Sequence, residues 1–254
     1  MRQNMISIEF KKIRRSPAIW ISIMMPLILA AIIFLIFMLQ GDRLIKPDMN
    51  PYERFISMGV NSSVIVLYPL FVVILNSLII SIEHHSGGWK SLLTAPVSRF
   101  KIYMAKWSLI NIVNFFTLAL FLVFLILFAG LLALLKPDLG FAGHKLDLGY
   151  YAWWFLKIFI ATLALSTLQY QFSLWMKNTF YSIGIGLLAV IAGLILMNLD
   201  FIDYYPYAYP ALSYNIFLNN IADQTLYLHE YLSMAYTVVI LSAGWLFWRN
   251  KQFK

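Results

Sequence analysis

The chain has 254 residues, of which 61% are hydrophobic and 12% are charged. About a quarter of the residues of an average soluble domain are charged, so this composition excludes a water-soluble globular protein. The formal net charge of +8 is explained by Lys and Arg retained in cytoplasmic loops, rather than by nucleic acid binding. Cysteine is absent, which excludes a disulfide framework and a thiolate metal site.

The apolar residues form runs of about 20, the length of a helix that crosses a bilayer. These runs predict an all-α integral membrane protein with six transmembrane helices. The spans are predicted at Ala18–Leu39, Phe55–Ile82, Ile102–Leu135, Tyr151–Met176, Phe180–Leu199 and Tyr231–Trp248. No remaining stretch is long enough for a second domain, so residues 1–254 are predicted to form a single transmembrane domain.

The distribution of basic residues predicts the orientation of the spans. Thirteen of the 19 Lys and Arg residues lie on the side of the two termini, which the positive-inside rule assigns to the cytoplasm. Only two acidic residues, Glu9 and Glu83, lie on that side. We therefore expect a multi-pass protein with both termini in the cytoplasm.

Residues 1–17, before the first span, are predicted to form a cytoplasmic interface segment. Over Met5–Ser16, Ile6, Phe10 and Ile13 share one face of a helix. The other face is mostly basic and carries Lys11, Lys12, Arg14 and Arg15. Such a helix lies along the headgroups with its apolar face in the acyl boundary. The alternative is a topology signal with no further role.

Two spans contain an internal proline. Pro26 in the first span and Pro69 in the second each remove a backbone donor. Spans two and three are also longer than a bilayer requires, so they tilt, extend beyond the membrane or break, and Pro69 is the position in span two where a break would fall. Transmembrane helices also tolerate proline without any hinge role.

The cytoplasmic connection between spans two and three covers residues 83–99. Trp89, Leu92 and Leu93 are spaced at i, i+3 and i+4, which predicts a short helix with one apolar face. Its limits are set by Gly87, Gly88 and Pro96. This apolar face must lie on headgroups or dock into a groove of a soluble partner.

The connection between spans five and six, residues 200–230, is here called the outer segment, and it is predicted to be extracellular. It is crowded with aromatic residues and prolines: Tyr204, Tyr205, Pro206, Tyr207, Tyr209, Pro210, Tyr214 and Phe217. Tyrosine at this density is typical of a headgroup interface.

Residues 83–99 resemble the signature of type-2 ABC exporter permeases, in which this connection forms the coupling helix, and they are called the coupling loop below. The matching positions are an acidic residue, a glycine, a Leu-Leu pair, a proline, an arginine and a lysine, at Glu83, Gly87 or Gly88, Leu92 and Leu93, Pro96, Arg99 and Lys106. The basic start of the chain, from Glu9 to Pro17, is similar to the interface helix of the same family.

The resemblance implies a permease subunit of an ATP-driven exporter of amphipathic or hydrophobic substrates. It implies two ABC ATPase subunits, which carry ATP and Mg, and a second permease copy or paralogue in the bilayer. The implied ATPase-coupling residues are Glu83, Gly87, Gly88, Trp89, Leu92, Leu93, Pro96 and Arg99. The compact form resembles bacterial plasma-membrane permeases that give immunity to lantibiotics or other peptide antibiotics.

In that family the outer segment carries short re-entrant helices that close the pathway. The resemblance therefore implies an outer gate at Tyr204, Tyr205, Pro206, Tyr209 and Pro210. Irregular backbone at membrane depth is tolerated where protein buries it or water lines it. An ordinary aromatic belt at the headgroups explains the same tyrosines.

No catalytic, cofactor or metal site is predicted in this chain. Gly87–Ser91 departs from the phosphate-loop motif, because Trp89 precedes the lysine and a helix lies upstream. His84 and His85 are adjacent and therefore point about 100° apart on a helix, which disfavours a shared metal ion. A membrane-embedded enzyme or a non-transporting scaffold is the alternative function.

The polar residues inside the spans are expected to form hydrogen bonds between helices, or to contact substrate. They are Asn76, Asn111, Asn114, Gln169 and Gln171. The sequence places no charge at the centre of a span, which disfavours an ion-coupled secondary transporter.

Overall fold

A computed structural model of the chain describes residues 5–14, 16–46, 49–85, 97–219 and 225–249. Within these ranges the protein is helical and contains no strand. Six helical segments are long and apolar enough to cross a membrane, which confirms the predicted number of spans. They are Pro17–Leu44, Pro51–His84, Arg99–Leu135, Leu148–Trp175, Thr179–Asn198 and Leu228–Trp248.

We number the described α-helices in chain order. They are α1 Met5–Ile13, α2 Pro17–Leu44, α3 Pro51–Ser62, α4 Tyr68–His85, α5 Arg99–Leu135, α6 Leu148–Trp175, α7 Thr179–Ile195, α8 Tyr209–Asn219 and α9 Leu228–Trp248. Side-chain caps determine where several helices begin, because they satisfy backbone N–H groups of the first turn. Asp147 Oδ1 accepts a hydrogen bond from Tyr150 N at 3.0 Å at the start of α6. The other such caps are Asn50, Ser98 and Asn178.

The distribution of side chains is that of a protein surrounded by lipid. Leu39, Leu134 and Phe180 are 80%, 78% and 82% exposed, whereas Asn114 and Gln169 are fully buried. Exposing apolar side chains to the hydrocarbon of a bilayer costs no free energy, and polar side chains inside the bundle find partners on neighbouring helices. The structure therefore needs a hydrocarbon solvent around its spans.

The spans pack as a bundle in which α5 and α6 occupy central positions. α2 packs along α5, α4 packs against α6 and α7, and α6 packs along α9. Two glycines allow close approach between helices. A Cβ on Gly186 would meet Gln169 and Val73, and a Cβ on Gly244 would meet Gln171.

The second span is widened rather than broken near Pro69. A π-turn at Ser63–Leu67 joins α3 to α4, and Tyr68 N donates to Ser63 O in that turn. Pro69 lacks the N–H that would bond the carbonyl four residues earlier, so the regular helical ladder cannot continue there. The α-helical ladder is therefore interrupted directly before Pro69, although Pro51–His84 stays one helical segment, whereas Pro26 lies in a continuous α2.

Three 3₁₀ turns lead from the end of α7 through the first part of the outer segment into α8. The turns are Leu196–Asn198, Asp200–Tyr204 and Pro206–Ala208. Ala208 and Tyr209 pack in one cluster with Ala161 and Ala164, which lie in the middle of α6. The chain therefore turns back along the bundle after α7 instead of passing directly into α9.

Candidate functional site

Four charged side chains form what we call the ion cluster, which joins α1 to both helices that flank the coupling loop. Lys106 Nζ, on α5, donates to Glu9 Oε2 at 2.7 Å and to Glu83 Oε1 at 2.9 Å. Lys12 Nζ donates to the same Glu83 Oε1 at 2.9 Å and to Glu9 Oε1 at 3.4 Å. Glu9 lies on α1 and Glu83 in the last turn of α4, so three helices meet at one point.

The ion cluster is almost completely removed from solvent. Glu9, Glu83 and Lys106 are 1%, 3% and 1% exposed. Two carboxylates and two ammonium groups balance in charge, as burial of ions requires, because an unpaired buried charge is very costly. The cluster therefore tolerates only one arrangement of α1, α4 and α5.

Lys12 is the partly exposed member of the ion cluster. Burial by itself lowers the pKa of its ammonium group, but the hydrogen bond to Glu83 and the charges of Glu9 and Glu83 outweigh burial and raise that pKa. A raised lysine pKa keeps the group charged throughout the neutral range, and its stabilising effect is lost only as the pH rises through the raised value. Lys12 is thus charged at neutral pH and can bridge α1 and α4 there.

Most of the predicted polar residues inside the spans form hydrogen bonds between helices. Asn76 Nδ2 and Asn114 Nδ2 both approach Ser166 Oγ, at 3.4 and 3.3 Å. Gln169 Nε2 donates to Ser77 Oγ and to Ser182 Oγ on two other helices. The interhelical role is therefore confirmed for these residues.

Of two further polar residues inside the spans, one agrees with the predicted interhelical role and one does not. Gln171 Nε2 donates to Tyr103 OH on α5, which is an interhelical bond as expected. Asn111 Nδ2 instead donates to Trp107 O within its own helix, at 2.9 Å. The carbonyl four residues earlier is the nearest acceptor for a short amide side chain on a helix.

A second buried polar group, here called the outer cluster, connects α6, α8 and α9 at the opposite end of the bundle. Ser213 Oγ lies 2.8 Å from His229 Nε2 and donates to Glu230 Oε1 at 3.1 Å. Lys157 Nζ lies 3.8 Å from Glu230 Oε2 and 4.4 Å from the centre of the Tyr227 ring. Ser213 therefore bonds α8 to α9, and Lys157 joins α6 to the same carboxylate of α9.

A comparison with protein families identifies the membrane bundle. The model of a family described as ABC-2 family transporter protein matches residues 5–193, which is most of the chain. The chain belongs to this family. No curated protein and no solved structure matches it.

Membership assigns the chain to the membrane component of an ABC transporter. This ABC-2 permease is a multi-pass membrane protein, associates with ABC ATPase subunits and is not itself catalytic. Among the described residues, no three His, Cys, Asp or Glu side chains are grouped so that they could hold a metal ion. The resemblance to type-2 permeases is thus confirmed at family level.

The family match includes the ion cluster and the coupling loop but ends before the outer segment. Glu83 is the one predicted coupling residue that the structure brings into the ion cluster. Arg99 lies elsewhere, at the start of α5, and its Nη1 donates to Arg249 O at 2.7 Å. The other predicted coupling residues, Gly87, Gly88, Trp89, Leu92, Leu93 and Pro96, lie outside the described part of the chain.

The helix predicted before the first span is present as α1, but its buried face differs from the predicted apolar face. Glu9 and Ile13 point into the ABC-2 bundle, whereas Phe10 is 46% exposed. A carboxylate occupies the inner face because Lys106 neutralises it there. Ile6 is half-buried, Lys11 and Arg14 are exposed, and Arg15 lies outside the described residues.

The predicted outer-gate residues do not share one environment. Tyr204 is exposed, and Tyr205 OH donates to Ala189 O on α7 at 2.8 Å. Tyr209 is fully buried and stacks on Tyr236 of α9, with ring centres 6.4 Å apart. Pro206 is half-buried and Pro210 is buried. Tyr207, outside the predicted set, reaches Gln169 Oε1 with its hydroxyl at 3.2 Å.

Sequence reasoning missed the partnership of Glu9, Glu83 and Lys106. A signal was present, because Glu9 and Glu83 are the only acidic residues on the predicted cytoplasmic side. Ionisable residues that face the interior of a membrane bundle pair with one another. The pairing itself required the three-dimensional arrangement of α1, α4 and α5.

Proposed function

We propose that this ABC-2 permease is the membrane-spanning half of an exporter that moves an amphipathic or hydrophobic substrate outward or out of the membrane. The observation that carries the proposal is the ion cluster, because it links α1 to the helices at both ends of the coupling loop. A force applied to the loop therefore moves α1, α4 and α5 together. The ion cluster keeps the three helices in a fixed arrangement while they move.

The ATPase subunits act on the coupling loop in this proposal. They bind ATP and Mg and close on nucleotide binding, pressing on the apolar face formed by Trp89, Leu92 and Leu93. Gly87, Gly88 and Pro96 limit the short helix that bears this face. Glu83 transmits the displacement to the ion cluster, and Arg99 transmits it to the end of α9 through its bond to Arg249.

The outer segment acts as the gate of the pathway. Its support is the packing of Ala208 and Tyr209 against the middle of α6, a depth that a loop lying on the headgroups does not reach. Tyr204, Tyr205, Pro206, Tyr209 and Pro210 form the gate, and α8 is a re-entrant helix. Bonds from Tyr205 to α7 and from the outer cluster to α6 and α9 hold it closed.

The complete transporter consists of two permease chains, identical or paralogous, and two ATPase subunits in a bacterial plasma membrane. Residues 1–254 form one permease domain with both termini in the cytoplasm. α1 lies along the inner headgroups, where Lys11 and Arg14 are exposed to anionic lipid and Phe10 enters the acyl boundary. We assign peptide antibiotics, including lantibiotics, as the substrate class, from the compact form of the chain.

The test replaces the apolar face of the coupling loop in the full chain, expressed with its ATPase. The variant Trp89→Asp/Leu93→Asp is expected to abolish transport and co-purification of the ATPase, because carboxylates cannot enter an apolar groove. Membrane insertion, measured by membrane fractionation, is expected to stay unchanged.

The matched control is Trp89→Phe/Leu93→Met, which keeps an apolar face of similar volume and is expected to retain the ATPase. An ATPase complex that survives the aspartate variant contradicts the coupling assignment. It would favour a scaffold role, in which other contacts assemble the proteins.

A membrane-embedded hydrolase finds little support in the described residues. Ser213 and His229 are at the distance of a nucleophile and its base, 2.8 Å. Both side chains are buried, however, and the same hydroxyl donates to Glu230. A serine already engaged by a carboxylate and closed to substrate is a structural element of the outer cluster.

A further inference from the structure

A groove opens on the side of the bundle between the start of α5 and the end of α9. Its volume is about 380 Å³, and it opens towards the space that lipid occupies around the spans. The walls are almost entirely apolar and aromatic: Phe100, Met104, Val238, Leu241, Trp245 and Leu246. We call this feature the lateral groove.

The walls of the lateral groove are held in place by direct contacts. The Phe100 and Trp245 rings meet edge to face, with centres 5.1 Å apart. Tyr103 OH donates to Leu241 O at 3.0 Å, which connects α5 to α9 at the floor of the groove. The groove is therefore a preformed concave site of the size in which proteins bind small apolar ligands, roughly 300 to 1,000 Å³.

Two arginines stand at the end of the lateral groove, at the predicted cytoplasmic surface. Arg99 directly precedes Phe100, and Arg249 follows Trp245 by one helical turn. Both side chains are exposed, and Arg99 Nη1 donates to Arg249 O at 2.7 Å, which brings the two residues together. One guanidinium has five N–H donors, so this bond leaves donors for a further acceptor.

The charge near this rim is positive. The sequence of α5 contains no acidic residue, and Glu230, the sole acidic residue of α9, lies at the other end of that helix. Arginine binds phosphate with parallel hydrogen bonds, and basic residues at a membrane surface favour anionic lipids. An apolar groove that ends at two arginines is complementary to a molecule with a hydrocarbon chain and an anionic head.

We propose that the lateral groove binds an anionic phospholipid, with one acyl chain along the groove and the phosphate at Arg99 and Arg249. The bound lipid joins the first turn of α5 to the last turn of α9. Since Arg99 also ends the coupling loop, the lipid stiffens the helix through which a force on that loop passes. The site is separate from the outer gate.

The test measures lipid retention by the full chain in native mass spectrometry. Protein from mild detergent is incubated with equal amounts of phosphatidylglycerol and phosphatidylcholine that carry identical chains. Wild type is expected to retain phosphatidylglycerol preferentially. Arg99→Gln/Arg249→Gln is expected to reduce this preference about 30-fold, because each basic residue near an anionic surface contributes about fivefold.

Three further variants separate the contributions of head and chain. Arg99→Lys/Arg249→Lys retains the charge and is expected to keep the preference. Arg43→Gln/Lys46→Gln removes two exposed cations at the other end of the bundle and is expected to leave it unchanged. Ser242 also lines the groove, and Ser242→Phe fills it while keeping both arginines, so this variant is expected to lose both lipids.

Equal retention of the two lipids by wild type would show unspecific annular lipid and overturn the proposal. So would an unchanged preference in the double glutamine variant, or an equal loss in the Arg43/Lys46 control. An unchanged lipid load in the Ser242→Phe variant would place the lipid elsewhere on the surface. None of these readouts depends on transport, so they test the lipid site independently of the exporter function.

Discussion

Lys106 is the residue on which the cytoplasmic end of the bundle depends most. Its ammonium group is the only member of the ion cluster that donates below 3 Å to both carboxylates. Both acceptors come from other helices, so Lys106 joins three helices by directional hydrogen bonds rather than by apolar packing. Directional contacts between ions determine one register where apolar surfaces would permit several.

We expect the substitution Lys106→Met to lower the free energy of unfolding by about 3 kcal/mol, because it leaves two buried carboxylates with only the partly exposed Lys12. Denaturation in detergent micelles, followed by circular dichroism, measures this loss. Lys101→Met is the matched control, since Lys101 lies on the same helix and is exposed. Equal stability of the two variants would show that the ion cluster contributes nothing to folding.

Among the helices, α8 is the one whose position depends on side chains rather than on chain connectivity. Asn61 Nδ2 donates to Tyr214 OH at 2.7 Å, and the Tyr214 ring stacks on Trp154 with centres 5.9 Å apart. Ser213 adds the bond to Glu230. These contacts attach α8 to three spans.

We expect Lys157→Met to loosen α8, because Glu230 then remains buried without its cation and Thr225 O loses the Lys157 donor at 2.6 Å. Amide hydrogen exchange within α8 should become about tenfold faster, while exchange within α2 stays the same. Lys145→Met, an exposed lysine at the same end of the bundle, is the control. Unchanged exchange in α8 would mean that the outer cluster does not hold this helix.

The whole molecule has the polarity of a membrane protein, with two buried clusters of charge at its opposite ends. The ion cluster lies where α1, α4 and α5 meet, and the outer cluster lies where α6, α8 and α9 meet. Both clusters lie near the ends of the spans, and in each cluster the charged side chains are paired with groups of opposite charge.

The absence of cysteine makes the orientation of the molecule directly measurable. We expect a membrane-impermeant thiol reagent to label Lys145→Cys and Asp200→Cys in intact cells, but Lys101→Cys and Lys177→Cys only after lysis. All four positions are exposed. The cysteine-free parent supplies the background signal. The opposite labelling pattern would reverse the assigned topology and place the coupling loop outside the cell.

The helical elements were predictable to within a few residues, because each span is a long apolar run with polar ends. The predicted third span began at Ile102, and the helix begins at Arg99, where Ser98 caps it. The effect of Pro69 on its helix could not be predicted from its position alone. A missing donor permits either a kink or a wider turn, and the packing of neighbouring helices selects between them.

The sequence by itself determined that this protein is a six-span bundle, because hydrocarbon leaves a backbone no alternative to helix and apolar runs of about 20 residues are visible without any partner. Only the tertiary structure decided which polar residues meet. Glu9, Glu83 and Lys106 are separated by 74 and 23 positions along the chain but lie within hydrogen-bonding distance. Pairing of this kind depends on helix packing and rotation, which local sequence does not encode.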